Sequence, residues 1–105
     1  MGKAPQYDLE EIQRVAITGN LNINTSDKVD TDIVNLDYSM EEVLKCILSL
    51  SSKHYQKTIP YSIGNKSINC DVYHMDYFGP DGQIDSLYIK FSYSSTWMTI
   101  YSFHL

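Results

Sequence analysis

The stretch Ile68-Asn69-Cys70-Asp71-Val72-Tyr73-His74 constrains this chain more than any other. On an extended backbone Ile68, Cys70, Val72 and His74 fall on one side, and Asn69, Asp71 and Tyr73 on the other. Leu87–Tyr93 and Trp97–Leu105 are also rich in the β-branched and aromatic residues that strands favour. Gly79-Pro80-Asp81-Gly82 and Ser94-Ser95-Thr96 separate the three as turns. The second half therefore predicts an antiparallel sheet of hairpin-connected strands. One face of such a sheet needs a cover, and the first half has the pattern to supply it.

Asp8 to Thr18 reads as a helix, with Asp8 as N-cap, Glu11 at capping-box spacing and an apolar stripe of Leu9, Ile12 and Ala16 flanked by Val15. Gly19 supplies a left-handed stop. Leu21-Asn22-Ile23 is a short extended piece. Thr25 or Ser26 then caps a brief helix carrying Val29, Ile33 and Val34, broken by Asn35-Leu36-Asp37. Ser39 opens a third helix with Glu42 at the capping-box position. Its predicted buried side is Met40, Val43, Leu44, Ile47 and Leu48, with Cys46 as a core thiol. His54 to Pro60 reads as a further strand that ends at Pro60 or lies at a sheet edge, since proline cannot donate to the ladder. Gly64-Asn65 marks the next turn. Helices followed by strands give an α+β fold: one domain over residues 1–105, N-terminal helices on one face of a mainly antiparallel sheet.

The apolar runs are too short for a transmembrane helix or a secretory signal. Cys46 and Cys70 are isolated, with no CxxC pair, which points to reduced thiols in a cytoplasmic protein and against a structural metal site. The net charge of −5 is unevenly placed. Residues 1–50 carry Lys3, Arg14, Lys28 and Lys45 against Asp8, Glu10, Glu11, Asp27, Asp30, Asp32, Asp37, Glu41 and Glu42. Later, Lys53, Lys57, Lys66 and Lys90 balance Asp71, Asp76, Asp81 and Asp85. The acidic half is either a set of solvated helix faces or a docking surface for a basic partner.

In Leu87–Tyr93 the apolar set Leu87, Ile89, Phe91 and Tyr93 should face the helices, leaving Tyr88 and Lys90 on the open side. The last strand is ambiguous, because Trp97, Thr99, Tyr101 and Phe103 and the alternate set Met98, Ile100, Ser102 and His104 are both mixed. If Tyr101 and Phe103 pack inward, Ser102 and His104 share a side with Lys90. The strand Ile68–His74 is equally ambiguous; if Cys70 and His74 also point outward, one surface holds two imidazoles, an ammonium and a phenol. Such a set suits metal-free cleavage of RNA. One imidazole takes the ribose 2′-OH proton, another acid protonates the leaving 5′-oxygen, and a lysine steadies the phosphorane. The alternative is that these are ordinary structural histidines. Of the nine tyrosines, Tyr73, Tyr93 and Tyr101 read as half-buried sheet residues, and Tyr55, Tyr61 and Tyr88 as candidates for RNA contact.

Ordered elements along most of the chain resemble the MqsR family of bacterial toxins, which have the RelE-like fold. Pro5-Gln6-Tyr7-Asp8-Leu9-Glu10-Glu11-Ile12 matches its first helix, and Leu36-Asp37-Tyr38 with Val43–Ser51 its third. His54-Tyr55-Gln56-Lys57 with Tyr61-Ser62 approximates its Tyr-Lys strand. Asp71-Val72-Tyr73-His74, Leu87-Tyr88-Ile89-Lys90 and Ile100-Tyr101-Ser102-Phe103-His104 match its last three strands. The resemblance implies a metal-independent endoribonuclease, an mRNA interferase toxin of a type II toxin–antitoxin system, with mRNA as substrate, an antitoxin protein as partner and no cofactor. It places catalysis on His74, Tyr88, Lys90 and His104, and substrate contact on Tyr55, Gln56, Lys57, Tyr61 and Cys70.

This chain departs from the family's pattern at several positions. Gln56 stands where the family has lysine, with Lys57 one residue late. Cys70 replaces a glutamine, Asn69 a tryptophan and His104 a lysine, and the chain is acidic where such toxins are basic. Either the histidines take over acid–base work, or the chain is a catalytically weak or inactive member. The other alternative is a small acidic immunity-type protein that binds a basic partner.

Overall fold

Asp8, Ser26 and Ser39 each begin a helix, because each side chain accepts hydrogen bonds from main-chain N–H groups that the first turn leaves unpaired. In the computed structural model, which describes residues 4–105, these helices are α1 (Leu9–Ile17), α2 (Asp27–Asn35) and α3 (Met40–Ser49). Glu10, Glu11, Asp27, Asp30, Glu41 and Glu42 all lie in first turns, where a carboxylate complements the positive end of the helix dipole. Much of the acidity of the first half is thus helix-start chemistry. Gly19 follows α1 with a φ of 81°.

The strands are β1 (Asn22–Thr25), β2 (Tyr55–Ile63), β3 (Lys66–Phe78), β4 (Ile84–Ser94) and β5 (Trp97–His104), and a 3₁₀ turn at Ser52–His54 leads into β2. They form one five-stranded sheet in the order β1-β5-β4-β3-β2. β2 to β5 are antiparallel neighbours, while β1 pairs with β5 in parallel. The extended Leu21–Ile23 segment is therefore an edge strand that departs from the hairpin pattern. It reaches the sheet by a crossover through α2, α3 and three strands. β2 is the other edge and runs past Pro60, which stands opposite Asn69. Only an edge tolerates the missing donor.

All three helices cover one face. Ile12, Val29, Ile33, Val43, Cys46 and Ile47 meet Tyr73, Met75, Leu87, Ile89, Phe91, Tyr93, Met98, Ile100 and Phe103 in a single apolar cluster. Two residues expected on the buried side of α3 are exposed instead, Met40 at 47% and Leu48 at 38%, and Val34 of α2 is exposed at 72%. In α3 the face that meets the sheet is Val43, Cys46, Ile47 and the following Leu50, an i, i+3, i+4, i+7 spacing that moves Met40 and Leu48 to the flanks. Burial raises the Cys46 thiol to about 12.

β3 fixes the two faces. Asp71 points to the helices and is fully buried. Its carboxylate accepts from the main-chain N–H groups of Gln6 and Tyr7, both at 2.9 Å, and from Thr58 Oγ1. Tyr73 lies on the same side, its ring stacked on Phe91. The other side of β3 carries Ile68, Cys70, Val72 and His74, and none of the three helices covers it.

Candidate functional site

The uncovered face is built row by row from the register. His74, Tyr88 and His104 are cross-strand partners on β3, β4 and β5. Their rings touch in series: His74 meets Tyr88 edge-on at 5.0 Å between centroids, and Tyr88 stacks on His104 at 5.1 Å and 15°. One phenol thus separates two imidazoles. The Nδ1 of His104 is 2.9 Å from the main-chain oxygen of Leu105. That oxygen can only accept, so Nδ1 carries the proton, and in the neutral ring Nε2 keeps a free lone pair.

The next row is Lys57, Val72, Lys90 and Ser102. Lys57 reaches this face through a β-bulge. Tyr55 pairs with Tyr73 and Lys57 with Val72, so two residues of β2, Gln56 and Lys57, stand against one of β3. The late lysine is thereby returned to the side of Lys90. The same bulge leaves Tyr55 on the helix side, where its ring meets Tyr73 and its hydroxyl bonds to Thr58. Tyr55, expected among the substrate contacts, does not belong to this face.

A second bulge lies in β5. Lys90 pairs with Ser102 and Phe91 with Ile100, which makes Tyr101 the extra residue. Phe103 packs inward as expected, but Tyr101 does not. Its ring meets that of Tyr61 at 4.7 Å, and the Lys90 ammonium sits 4.5 Å from the Tyr61 centroid. Tyr61 stands on β2 and Tyr101 on β5. For their rings to touch, both side chains must lie across β3 and β4. Cys70 and Val72 are fully buried although they point away from the helices, as such a roof requires. Cys70, expected as a substrate contact, is covered, and burial raises its thiol pKa. It is neither exposed nor activated.

Charge is divided between the faces. Register places Lys57, Lys66 and Lys90 on the open side, and among the described residues Asp76, hydrogen-bonded by Ser86, is its one carboxylate. The acids of the three helices lie on the opposite side of the sheet. A pocket of about 340 Å³ opens beside the ring row, lined by His54, His74, Met75, Asp76, Ser86 and Leu87. The described residues contain no cluster of three or more His, Cys, Asp or Glu suited to a metal ion. No helix among them is long and apolar enough to cross a membrane.

The residue that the sequence reading left off this face is Tyr101. A signal for it existed in the mixed parity of the last strand. Met98 and Ile100 are core residues of one parity and Phe103 of the other, and such a switch requires an extra residue between them.

Comparison with known proteins adds one finding. The model of a family described as motility quorum-sensing regulator, toxin of MqsA, matches residues 4–105. No curated protein matches the chain.

Proposed function

This chain belongs to the MqsR toxin family, and from that premise we propose that it is an endoribonuclease acting through the His74–Tyr88–His104 row. As a toxin of a toxin–antitoxin system it has an antitoxin as its partner. Family membership sets aside the immunity-type alternative. The observation that carries the catalytic reading is the pair of imidazoles on either side of one phenol, with Lys90 in the adjacent row.

In the proposed reaction the 2′-oxygen of a ribose attacks the neighbouring phosphorus and the bond to the 5′-oxygen breaks. His104 Nε2 takes the 2′-OH proton, since Nδ1 is already committed to Leu105. His74, as imidazolium, gives a proton to the departing 5′-oxygen from the far side of Tyr88. The Tyr88 hydroxyl and the Lys90 ammonium steady the charge that builds on the phosphorane. The products are a 2′,3′-cyclic phosphate and a 5′-hydroxyl, so atoms and protons balance without a further reactant. Lys57, Gln56 and Tyr61 contact the substrate. The segregation of charge answers the acidity of the chain, because an RNA strand on the open face meets lysines and is shielded from the helix carboxylates by the sheet.

The test is incubation of the purified protein with mixed mRNA in EDTA. Fragments ending in 2′,3′-cyclic phosphate are expected from the wild type, with a loss of at least about a hundredfold in His104→Ala. RNA that stays intact with the wild type would establish the inactive-member reading instead.

A further inference from the structure

We infer that the Tyr61–Tyr101 roof is the seat of a nucleotide base, placed so that a phosphate held by Lys90 lies between this seat and the three-ring row. The inference rests on the RNA reading above and adds a residue to it. Three observations support it. The roof is aromatic, and both tyrosines keep part of their surface in solvent. It closes over Cys70 and Val72, so a base has no space beneath the rings and must stack on their outer faces. Lys90 joins the two parts of the site. Its ammonium touches the Tyr61 ring, and its backbone lies two residues, about 6.8 Å, from Tyr88.

A nucleotide has the matching form, with an anionic group at one end and a flat π surface at the other. Base stacking on tyrosine is tolerant of base identity, because each base offers a π-face. Lys66 and Lys57 on the same side supply backbone contacts to flanking phosphates. Tyr101 is the decisive element, because without the bulge its ring would point into the helix side. The roof would then be a single tyrosine, and Cys70 would be open to solvent. The occupant is single-stranded RNA, since duplex bases are already stacked on one another.

Fluorescence anisotropy with labelled 2′-O-methyl dodecamers of A and of U tests this, because these probes lack the nucleophilic hydroxyl and cannot be cut. Wild type should bind both. Tyr101→Val should weaken both by about tenfold or more, and Tyr101→Phe, which keeps the ring, should stay within about twofold of wild type. Thermal unfolding of both variants confirms that the fold is intact. Binding by Tyr101→Val equal to wild type overturns the base seat, as does a wild type that binds neither probe. Cleavage of ordinary RNA by wild type, measured in parallel, separates the two proposals. Ring-dependent binding without cleavage supports the seat and refutes the nuclease, whereas cleavage with ring-independent binding does the reverse.

Discussion

Val72 and Lys90 face each other across β3 and β4, and each is opposed on its outer side by two residues instead of one. Gln56 and Lys57 stand against Val72; Tyr101 and Ser102 stand against Lys90. Both bulges of the sheet therefore fall in a single row, and each adds one side chain to the open face there. Bulges re-aim side chains next to functional sites in just this manner. Lys57→Ala is expected to weaken binding of a single-stranded RNA and to reduce the salt slope of log K by about 0.7, one phosphate contact. Deleting Gln56 should preserve the salt slope, because Lys57 then follows Tyr55 directly and alternation alone turns it outward, while the lost Gln56 contact lowers the affinity at every salt concentration. A deletion variant that folds but shows the reduced salt slope of Lys57→Ala would mean that alternation from Tyr55 does not set the direction of Lys57.

Tyr88 lies between the two imidazoles, and in the proposed reaction its ring and its hydroxyl have separable duties. Tyr88→Phe keeps the stack with His104 and the edge contact with His74, and loses only the donor to the phosphorane. A fall in kcat of about 10² with little change in KM is expected, the size typical of one transition-state donor. Equal activity of Tyr88→Phe and wild type would confine Tyr88 to holding the histidines apart.

The helix half was largely legible, because caps and 3.6-residue periodicity are local. Asp8, Ser26 and Ser39 head their helices, and the 3-4 stripes reach the core. The apolar parity of Leu87, Ile89, Phe91 and Tyr93 identified the helix side of β4. What the residues alone left open was long-range. The parallel pairing of β1 with β5 joins segments some seventy residues apart and has no local signature. The site was half legible for the same reason. Tyr88 and Lys90 follow from strict alternation, whereas both sides of Ile68–His74 are mixed and the side of His74 is fixed only by its pairing with Tyr88. Lys57 and Tyr101 depend on bulges, which are defined by the partner strand and break the period that makes strands readable.

Asp71 ties the segment before α1 to the sheet. Its buried carboxylate takes two main-chain N–H groups, from Gln6 and Tyr7, and the Thr58 hydroxyl. Asp71→Ala removes the acceptor of two part-buried main-chain N–H groups and leaves the Thr58 hydroxyl only its contact with Tyr55. A loss of about 3 kcal/mol is expected, since hydrogen bonds to charged groups contribute about 1.5–3 kcal/mol and each orphaned donor adds a cost. Asp71→Asn, with one acceptor oxygen left, should lose less. Urea titration measures both, and a cost below about 1 kcal/mol for the alanine variant would mean that the segment is held by other contacts.

Tyr73 has a buried hydroxyl with no hydrogen-bond partner among the described residues. Burial raises its pKa to about 12. The ring is held independently, stacked on Phe91 and edge-on to Tyr55. Tyr73→Phe removes a group that is desolvated without compensation, so stability should be unchanged or rise by up to about 1 kcal/mol. A clear loss in the same titration would reveal a partner for the hydroxyl.

His54 makes stability depend on pH in a direction that its geometry fixes. Its Nδ1 accepts from the Ser51 main-chain N–H at 3.0 Å, which only the neutral ring can do. Burial, and then Lys53, lower its pKa from the usual histidine value, while Asp76 opposes the shift. The folded state therefore binds fewer protons than the unfolded state between the folded value and about 6.5. The contribution of His54 is complete above about pH 6.5 and is lost as the pH falls through the folded value. The difference in Tm between wild type and His54→Ala should be largest near pH 7.5 and shrink on going to pH 5. Comparing the pair at each pH cancels the titration of the carboxylates, which both proteins share. A difference that stays constant from pH 7.5 to pH 5 would show that the Ser51–His54 contact does not discriminate between the two forms of the ring.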